Sequence, residues 1–400
     1  MKVCVIGAGV VGCSTAYLLQ RTGHEVTVLD AAPSAGLGTS FANGGQLSYS
    51  YVEPLASPAT LRSLPALLLD ASSPVRFRLR ADWRQWRWLA AFLWSCRHSR
   101  AAAGTRALLG LAQDSRSVLE QWIRDEALDF AFARNGKLVL CPNERVLASQ
   151  RDQVALQAVA GVKQDVLDRK ECLAREPALV AYENFVGGVW TPTECVADPH
   201  LYCKALERAA VERGASFCYG VTATGFVHKG GHAHAVTCSA GTIDADAFVL
   251  CGGVQSPALA ASLGESLPIY PIKGYSVTLR MKPGGRSPMA SVTDLSRKMV
   301  LAPIGGELRV AAMAEIVGHD RRVRSERIGR ILSAVEQIYP GLCELDPSRP
   351  WAGLRPATPD SVPIIRPSRV RNVLLNVGHG ALGFTLAAGS AVRVRALLET

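Results

Sequence analysis

Residues 2–30 read KVCVIGAGVVGCSTAYLLQRTGHEVTVLD. Val3–Ile6 is a short apolar run of strand type, and Gly7, Gly9 and Gly12 follow it at the spacing G-x-G-x-x-G. A helical pattern runs from Ser14 to Arg21, Gly23 ends it, and Val26–Leu29 is a second apolar strand closed by Asp30. Each part of this βαβ start has a mechanical task. Gly7 permits the tight turn, Gly9 lets a pyrophosphate approach the backbone, and Gly12 lets helix and strand lie close. The start of the helix offers unpaired N–H groups and a partial positive charge to phosphate. At the end of the second strand, Asp30 can accept hydrogen bonds from both hydroxyls of a ribose and would repel a 2′-phosphate. The stretch reads as a dinucleotide site that disfavours NADP.

Working outward, 400 residues imply two or more domains, and the composition is that of a globular chain. The net charge of +10 favours an anionic partner surface. The 11 cysteines are odd in number and scattered, with no C-x-x-C pair. That argues for free thiols in a reducing compartment, and against a disulfide framework or a metal site. The N-terminal apolar run superficially resembles a signal peptide, but its glycines fall on the dinucleotide spacing and the second strand needs the helix that follows. No run of about 20 apolar residues suggests a membrane span.

Residues 40–46, SFANGGQ, read as a loop able to pass close to a flat ring. Between Arg76 and Arg100, arginines alternate with Trp83, Trp86, Trp88 and Trp94, and Asp82 is the only acid. Two readings stay open for this stretch. It is either an amphipathic helix lying in a membrane interface, or a helix with tryptophans turned inward and arginines solvated. No nucleic-acid-binding module accompanies it. An amphipathic helix is expected at Ala107–Glu126, further helices at Arg145–Val159 and Arg324–Tyr339, and antiparallel strands from Ile269 to Met313. Two further strand–glycine–helix junctions stand at Phe248–Gly253 and at Val373–Gly383. Each aims a helix start at something anionic or electron-rich.

The three junctions resemble those of FAD-dependent oxidoreductases of the D-amino acid oxidase and glycine oxidase superfamily. Within it the chain is most similar to the bacterial D-amino acid dehydrogenases. The residues that carry this are VIGAGVVGCSTAY at 5–17, SFANGGQLS at 40–48, PIKGYSVTL at 271–279, MAEIVG at 313–318, WAGLRPATPD at 351–360 and NVGHGALGFTLAAGSA at 376–391. They span nearly the whole chain. The resemblance implies an α/β, Rossmann-like FAD-binding domain with a central parallel sheet, formed by 1–55, 192–262 and 345–400. A substrate domain with a mainly antiparallel sheet and helices would take 56–191 and 263–344, with 76–100 available to a membrane surface.

For individual residues the resemblance implies that Gly7, Gly9 and Gly12 hold the pyrophosphate and Asp30 the adenosine ribose. Val221, early in its strand, would meet adenine through the main chain, and Gly253 would lie near the pyrophosphate. Ser40, Asn43, Gly44, Gly45 and Gln46 would line the flavin. Gly378, Gly380 and Gly383 would set backbone donors at its pyrimidine edge, where reduction adds negative charge. Arg355 would grip a substrate carboxylate, its bland alternative being an ion pair with Asp360. Tyr275, Tyr270 and Tyr51 are candidate phenol contacts, Lys273 an electrostatic aid, and His379 a shaper of the flavin's electrostatics. Sarcosine oxidases attach flavin to a cysteine at or beside the position of Gly353. No cysteine stands there, so the FAD is expected to be non-covalent.

The activity so implied is oxidative deamination of a D-amino acid, with hydride passing from Cα to flavin N5 and an imine hydrolysed to a 2-oxo acid. D-Alanine, D-proline and hydroxy-D-proline remain open as substrates, because 49–69 departs from the usual run of such enzymes. Electrons would go to a quinone or another carrier, with the protein cytoplasmic and peripheral on the inner face of the cell membrane. Two alternatives stand beside this reading: a glycine- or sarcosine-type oxidase yielding hydrogen peroxide, and a flavin subunit active only in a larger complex.

Overall fold

The computed structural model describes residues 1–50, 52, 54–62, 73–158, 161–347 and 349–399. Tyr51 lies outside them, as do residues 53 and 63–69 of the 49–69 stretch. The first strand, β1 (Lys2–Ile6), the helix α1 (Val10–Arg21) and the strand β2 (Glu25–Asp30) follow the sequence pattern closely. Apolar residues on β1 are buried at every position from Val3 to Ile6, the signature of a strand covered on both faces. It lies inside a six-stranded sheet in the order Ile364–Pro367, Val373–Val377, Ala247–Leu250, β1, β2, Ser216–Tyr219. All neighbours are parallel except Ile364–Pro367, which returns antiparallel.

The second large sheet is mainly antiparallel. Its strands run Trp351–Ala357, Tyr270–Arg280, Glu307–Ile316, Met299–Ile304, Ser291–Asp294, Lys137–Cys141, Gly187–Thr191 and Asp165–Asp168, with Val75–Phe77 joined in parallel to Glu307–Ile316. The helix Ser325–Ile338 covers one face, burying Ile328, Ile331, Val335 and Ile338 against Val277, Leu279, Leu308 and Val310. The chain is therefore α/β, with a Rossmann-like sheet and an antiparallel sheet-and-helix region.

Two segments sit differently from the sequence division. The helix His98–Glu126, expected within the substrate region and only from Ala107, starts earlier and packs in the dinucleotide core. Leu108, Leu111, Leu119 and Trp122 join Tyr17, Leu386 and Ala391 there. The close crossing with the C-terminal helix Gly383–Leu398 depends on Gly389, where a Cβ would stand 2.7 Å from the Leu111 carbonyl oxygen. Trp351–Ala357, counted with the FAD-binding segments, pairs along its whole length with Tyr270–Arg280. The division implied by the resemblance placed both otherwise, but side-chain burial and strand pairing decide the placement.

Gly380–Leu398 is long and apolar enough to cross a membrane, the one such helix among the described residues. The sequence shows no run of about 20 apolar residues there. Here the helix is wedged between α1 and His98–Glu126, with Leu386, Ala387 and Ala391 wholly buried, which accounts for its apolar character. All eleven cysteines are free thiols.

Candidate functional site

At the end of β1 the backbone is too crowded for side chains. Gly7 has φ +110°, and a Cβ on it would meet the Cys251 carbonyl oxygen at 2.6 Å. On Gly12 a Cβ would fall 1.7 Å from the Gly7 carbonyl oxygen. The first turn of α1 carries no acidic residue, and its N-cap, Gly9, offers no side-chain bond. Among the described residues only the Ser40 hydroxyl comes there, accepting from Val10 N at 3.1 Å. This leaves the kind of unfilled, positive helix start that a pyrophosphate needs. Asp30, half-buried, accepts from Ala8 N at 2.6 Å and Ala32 N at 2.8 Å, one bond to each oxygen. The carboxylate is thereby oriented while each oxygen keeps a lone pair for a ribose hydroxyl.

Val221 follows Ser216–Tyr219 and precedes Ala223–Lys229, so it lies in a connection and not early in a strand. Its N–H donates to the Asp30 carbonyl oxygen at 3.0 Å, which fixes it at the same end as the ribose carboxylate. Gly253, at φ +55°, has open space where a Cβ would point.

The 40–46 loop is laced to the antiparallel sheet. Asn43 Oδ1 accepts from Gly45 N at 2.8 Å, closing a tight turn, and Gln46 Nε2 donates to the Ser291 hydroxyl. Ser276 donates to the Ala42 carbonyl, and Gly44 lies against Ala311 and Val300. Arg309, absent from the sequence reading, donates to the Asn43 carbonyl at 3.2 Å and to Asp198 at 3.1 Å. A charged residue within the buried strand ELRVAA was the signal that could have found it. Lys137, also missed, donates to Ser48 at 3.0 Å, and burial pulls its pKa down to about 8.

Strand pairing decides which side chains share a face with this loop. Cross-strand partners point the same way, and successive residues alternate. Arg355 pairs with Ile272, Gly353 with Gly274 and Trp351 with Ser276. Arg355 therefore shares the face that Ser276 presents to the 40–46 loop. Its guanidinium lies over Gly274, where a Cβ would be 2.5 Å from Nη2. Nη1 donates to the Met313 carbonyl at 3.0 Å, and among the described residues no carboxylate forms an ion pair with it. Burial draws its pKa below the usual arginine value. Asp360, the suggested ion-pair partner, is exposed and accepts from Val362 N in its own turn.

Lys273 and Tyr275 stand on the opposite face, paired with Leu354 and Ala352. Tyr275 donates to Glu315 at 3.1 Å, and Glu315 is held at 2.8 Å by the buried Arg327. Lys273 is buried, donates to the Arg322 carbonyl at 2.6 Å and lies 3.9 Å from Asp320. The carboxyl of Asp320 is held far below its usual pKa by Arg322. The proposed catalytic roles of Lys273 and Tyr275 are corrected accordingly: strand alternation turns both away from Arg355 and into a structural ion network. Tyr270 does share the Arg355 face by pairing with Ala357, but its ring packs by Trp88 at 6.1 Å, with Asp82 and Gln85 near its hydroxyl. It anchors the Trp83–Ser95 helix.

Gly378, at φ +81°, is confined by Thr358, whose Cγ2 would be 2.6 Å from a Cβ there. His379 is buried with its Nε2 at 2.9 Å from the Ser390 hydroxyl, and burial pulls its pKa down to about 3. The ring is neutral at ordinary pH, so it lends no charge to a ligand. It ties the Gly378–Gly383 turn, with Gly380 at φ +54° in its middle, to the C-terminal helix.

A glycine-lined phosphate cradle, an oriented ribose carboxylate and a second sheet that holds the 40–46 loop define a two-region dinucleotide-dependent redox fold. The chain belongs to the FAD-dependent oxidoreductases, whose family profile matches residues 2–397. It is 42% identical over 402 residues to D-amino acid dehydrogenase 2 of Ralstonia nicotianae, covering 98% of this chain and 95% of that one. D-Amino acid dehydrogenase 2 of Pseudomonas aeruginosa is 44% identical over 391 residues, with coverage of 97% and 92%. In overall fold it resembles glycine oxidase from Geobacillus kaustophilus, with TM-score 0.79 and 21% identity over 99% of this chain and 94% of that one. The Bacillus cereus glycine oxidase gives TM-score 0.77 at 20% identity, covering 100% and 94%. The protein is an oxidoreductase, FAD is its cofactor, and the crowded Gly7–Gly12–Cys251 cradle fits the FAD pyrophosphate.

Proposed function

We propose that this protein oxidises a D-amino acid and hands the electrons to a quinone, working at a membrane surface. The observation that carries the substrate reading is Arg355, a half-buried guanidinium on the 40–46 face whose only hydrogen-bond partner among the described residues is a carbonyl. A cation drawn partly out of water without a counter-charge has unspent binding capacity, and a zwitterionic substrate supplies the missing carboxylate. A planar fork holds that group at two points and fixes the orientation of Cα. Bound FAD supplies the electron-accepting chemistry. The chain's residues orient the substrate and exclude water. Gly7, Gly9 and Gly12 would hold the pyrophosphate, Asp30 the ribose, and Ser40 and Asn43–Gln46 the flavin. Gly378 to Gly383 would donate to its pyrimidine edge.

Non-covalent attachment is favoured by Trp351. Its ring lies over Gly353, where a Cβ would be only 1.9 Å away, so a linking cysteine has no room. The names of the Ralstonia and Pseudomonas relatives favour D-amino acids over the glycine oxidase alternative. An anaerobic screen of the yellow protein with D- and L-amino acids tests the reading. Bleaching by D-isomers is expected; bleaching by L-isomers alone would overturn it.

The membrane reading rests on the Trp83–Ser95 helix. Trp88 is buried and stacks on Phe92 at 5.2 Å, whereas Trp83, Trp86 and Trp94 are 65%, 51% and 48% exposed. Leu79 and Leu93 are exposed beside them, and Arg87 and Arg97 lie over Trp83 and Trp94. Tryptophans flanked by arginines suit an anionic lipid interface. Changing Arg84, Arg87 and Arg97 to Gln should release the protein from anionic vesicles, and equal binding before and after would refute the contact.

A further inference from the structure

Beneath the exposed Trp94 an open cleft of about 320 Å³ runs between the Trp83–Ser95 helix and the 358–364 turn. Its apolar wall includes Pro359, Pro363 and Ile364, and Arg100 stands at its side. Trp94 is held in place from one face by the Arg97 guanidinium, 3.5 Å from the ring centre, with Arg100 at 5.3 Å. The floor includes Thr358. Its hydroxyl donates to the Val362 carbonyl at 2.9 Å and lies 3.5 Å from the Gly378 carbonyl oxygen. Gly378 opens the turn assigned above to the flavin edge, so a single residue separates the cleft from that turn.

We infer that this cleft is where the head group of the proposed quinone acceptor docks. The inference rests on the reading of the chain as a dehydrogenase and adds to it the place where electrons leave. Three features select this ligand chemistry. A flat apolar ring fits between an indole and prolines. A quinone carbonyl calls for a cation, which Arg100 supplies at the exposed rim, while Asp360 also lines the cleft and Thr358, its one hydroxyl proton already given to Val362, forms the floor. The mouth opens beside Trp94, on the tryptophan- and arginine-bearing face proposed to meet lipid, where a quinone with an apolar tail is dissolved. Amino-acid oxidation occurs on the Arg355 face, so the two reactants would approach from different directions.

The exchange balances. The quinone takes two electrons from the reduced cofactor and two protons from the cofactor and solvent, leaves as the quinol, and returns the cofactor to its oxidised form.

The test uses the full holoenzyme and a photoreactive azido analogue of ubiquinone-1. Labelling with peptide mapping should mark 91–100 or 358–364, and excess ubiquinone-1 should prevent it. Ala91→Phe, which fills the cleft from the helix side, should weaken ubiquinone-1 binding at least tenfold, read by titration of the label. Labelling confined to other segments, or undiminished labelling in Ala91→Phe, would overturn the inference. Anaerobic bleaching of the wild-type protein by D-alanine, D-proline and hydroxy-D-proline is measured in parallel. If none bleaches it while the label maps to the cleft, the substrate reading fails and the acceptor site stands.

Discussion

Arg327 and Arg355 are both lodged against the Tyr270–Arg280 strand, one on each face of the same sheet, and they are treated differently. Arg327 is 4% exposed and meets Glu315 at 2.8 Å, with Tyr275 donating to the same carboxylate. Arg355 has a carbonyl at 3.0 Å and no acidic partner among the described residues. A structural arginine brings its own counter-charge, because a buried ion left unpaired costs several kcal/mol. An arginine kept for a ligand is left with part of its hydrogen-bonding capacity unspent. The contrast separates scaffold from site more sharply than residue type does, since tyrosine, lysine and arginine all occur on the scaffold side.

The largest expected effect tests the site side. Arg355→Ala should lower kcat/KM for the amino acid by about 10²- to 10³-fold, the loss typical when one partner of a buried charge pair is removed. Arg355→Lys should recover only part of it, because an ammonium lacks the planar fork. On the scaffold side, Glu315→Ala should destabilise the fold by about 3–5 kcal/mol by stranding Arg327, while KM of the folded fraction stays within about twofold. Urea unfolding and steady-state kinetics on the same preparation read both. A large KM change in Glu315→Ala would dissolve the distinction between the faces.

A smaller effect concerns His379. Its folded pKa, about 3, lies below the ordinary value of 6.5, so the unfolded chain binds the extra proton first as pH falls. The contribution to stability is complete above pH 6.5 and is lost progressively toward pH 3. Between pH 7 and pH 5 the loss is about 1–2 kcal/mol, and His379→Gln should flatten that part of the profile. The smallest effect is Tyr275→Phe, expected to cost about 1 kcal/mol of stability and to leave substrate affinity unchanged. A tenfold rise in KM would return Tyr275 to the site.

Much of this arrangement was legible in the sequence where the requirement is local. Gly7 and Gly12 are demanded by contacts within one turn and with Cys251, and the spacing alone announces them. The 40–46 loop was legible for the same reason, since Asn43 closes its turn through Gly45 two residues on. What could not be read depends on distant pairing. The faces of Lys273 and Tyr275 are set by register with Leu354 and Ala352, and the placement of His98–Glu126 by its crossing with Gly389. The 76–100 stretch offered two alternatives, tryptophans inward or outward. The helix does both, burying Trp88 and exposing Trp83, Trp86 and Trp94.

The most direct measurement is an anaerobic titration of flavin absorbance with D-alanine, D-proline and hydroxy-D-proline, comparing the wild-type protein with Arg355→Ala at equal FAD content. An apparent Kd at least 100-fold weaker in the variant, for whichever D-amino acid bleaches the wild type, is the predicted result. Equal Kd values in the two proteins would show that the substrate carboxylate is held elsewhere, and would contradict the role given to this arginine.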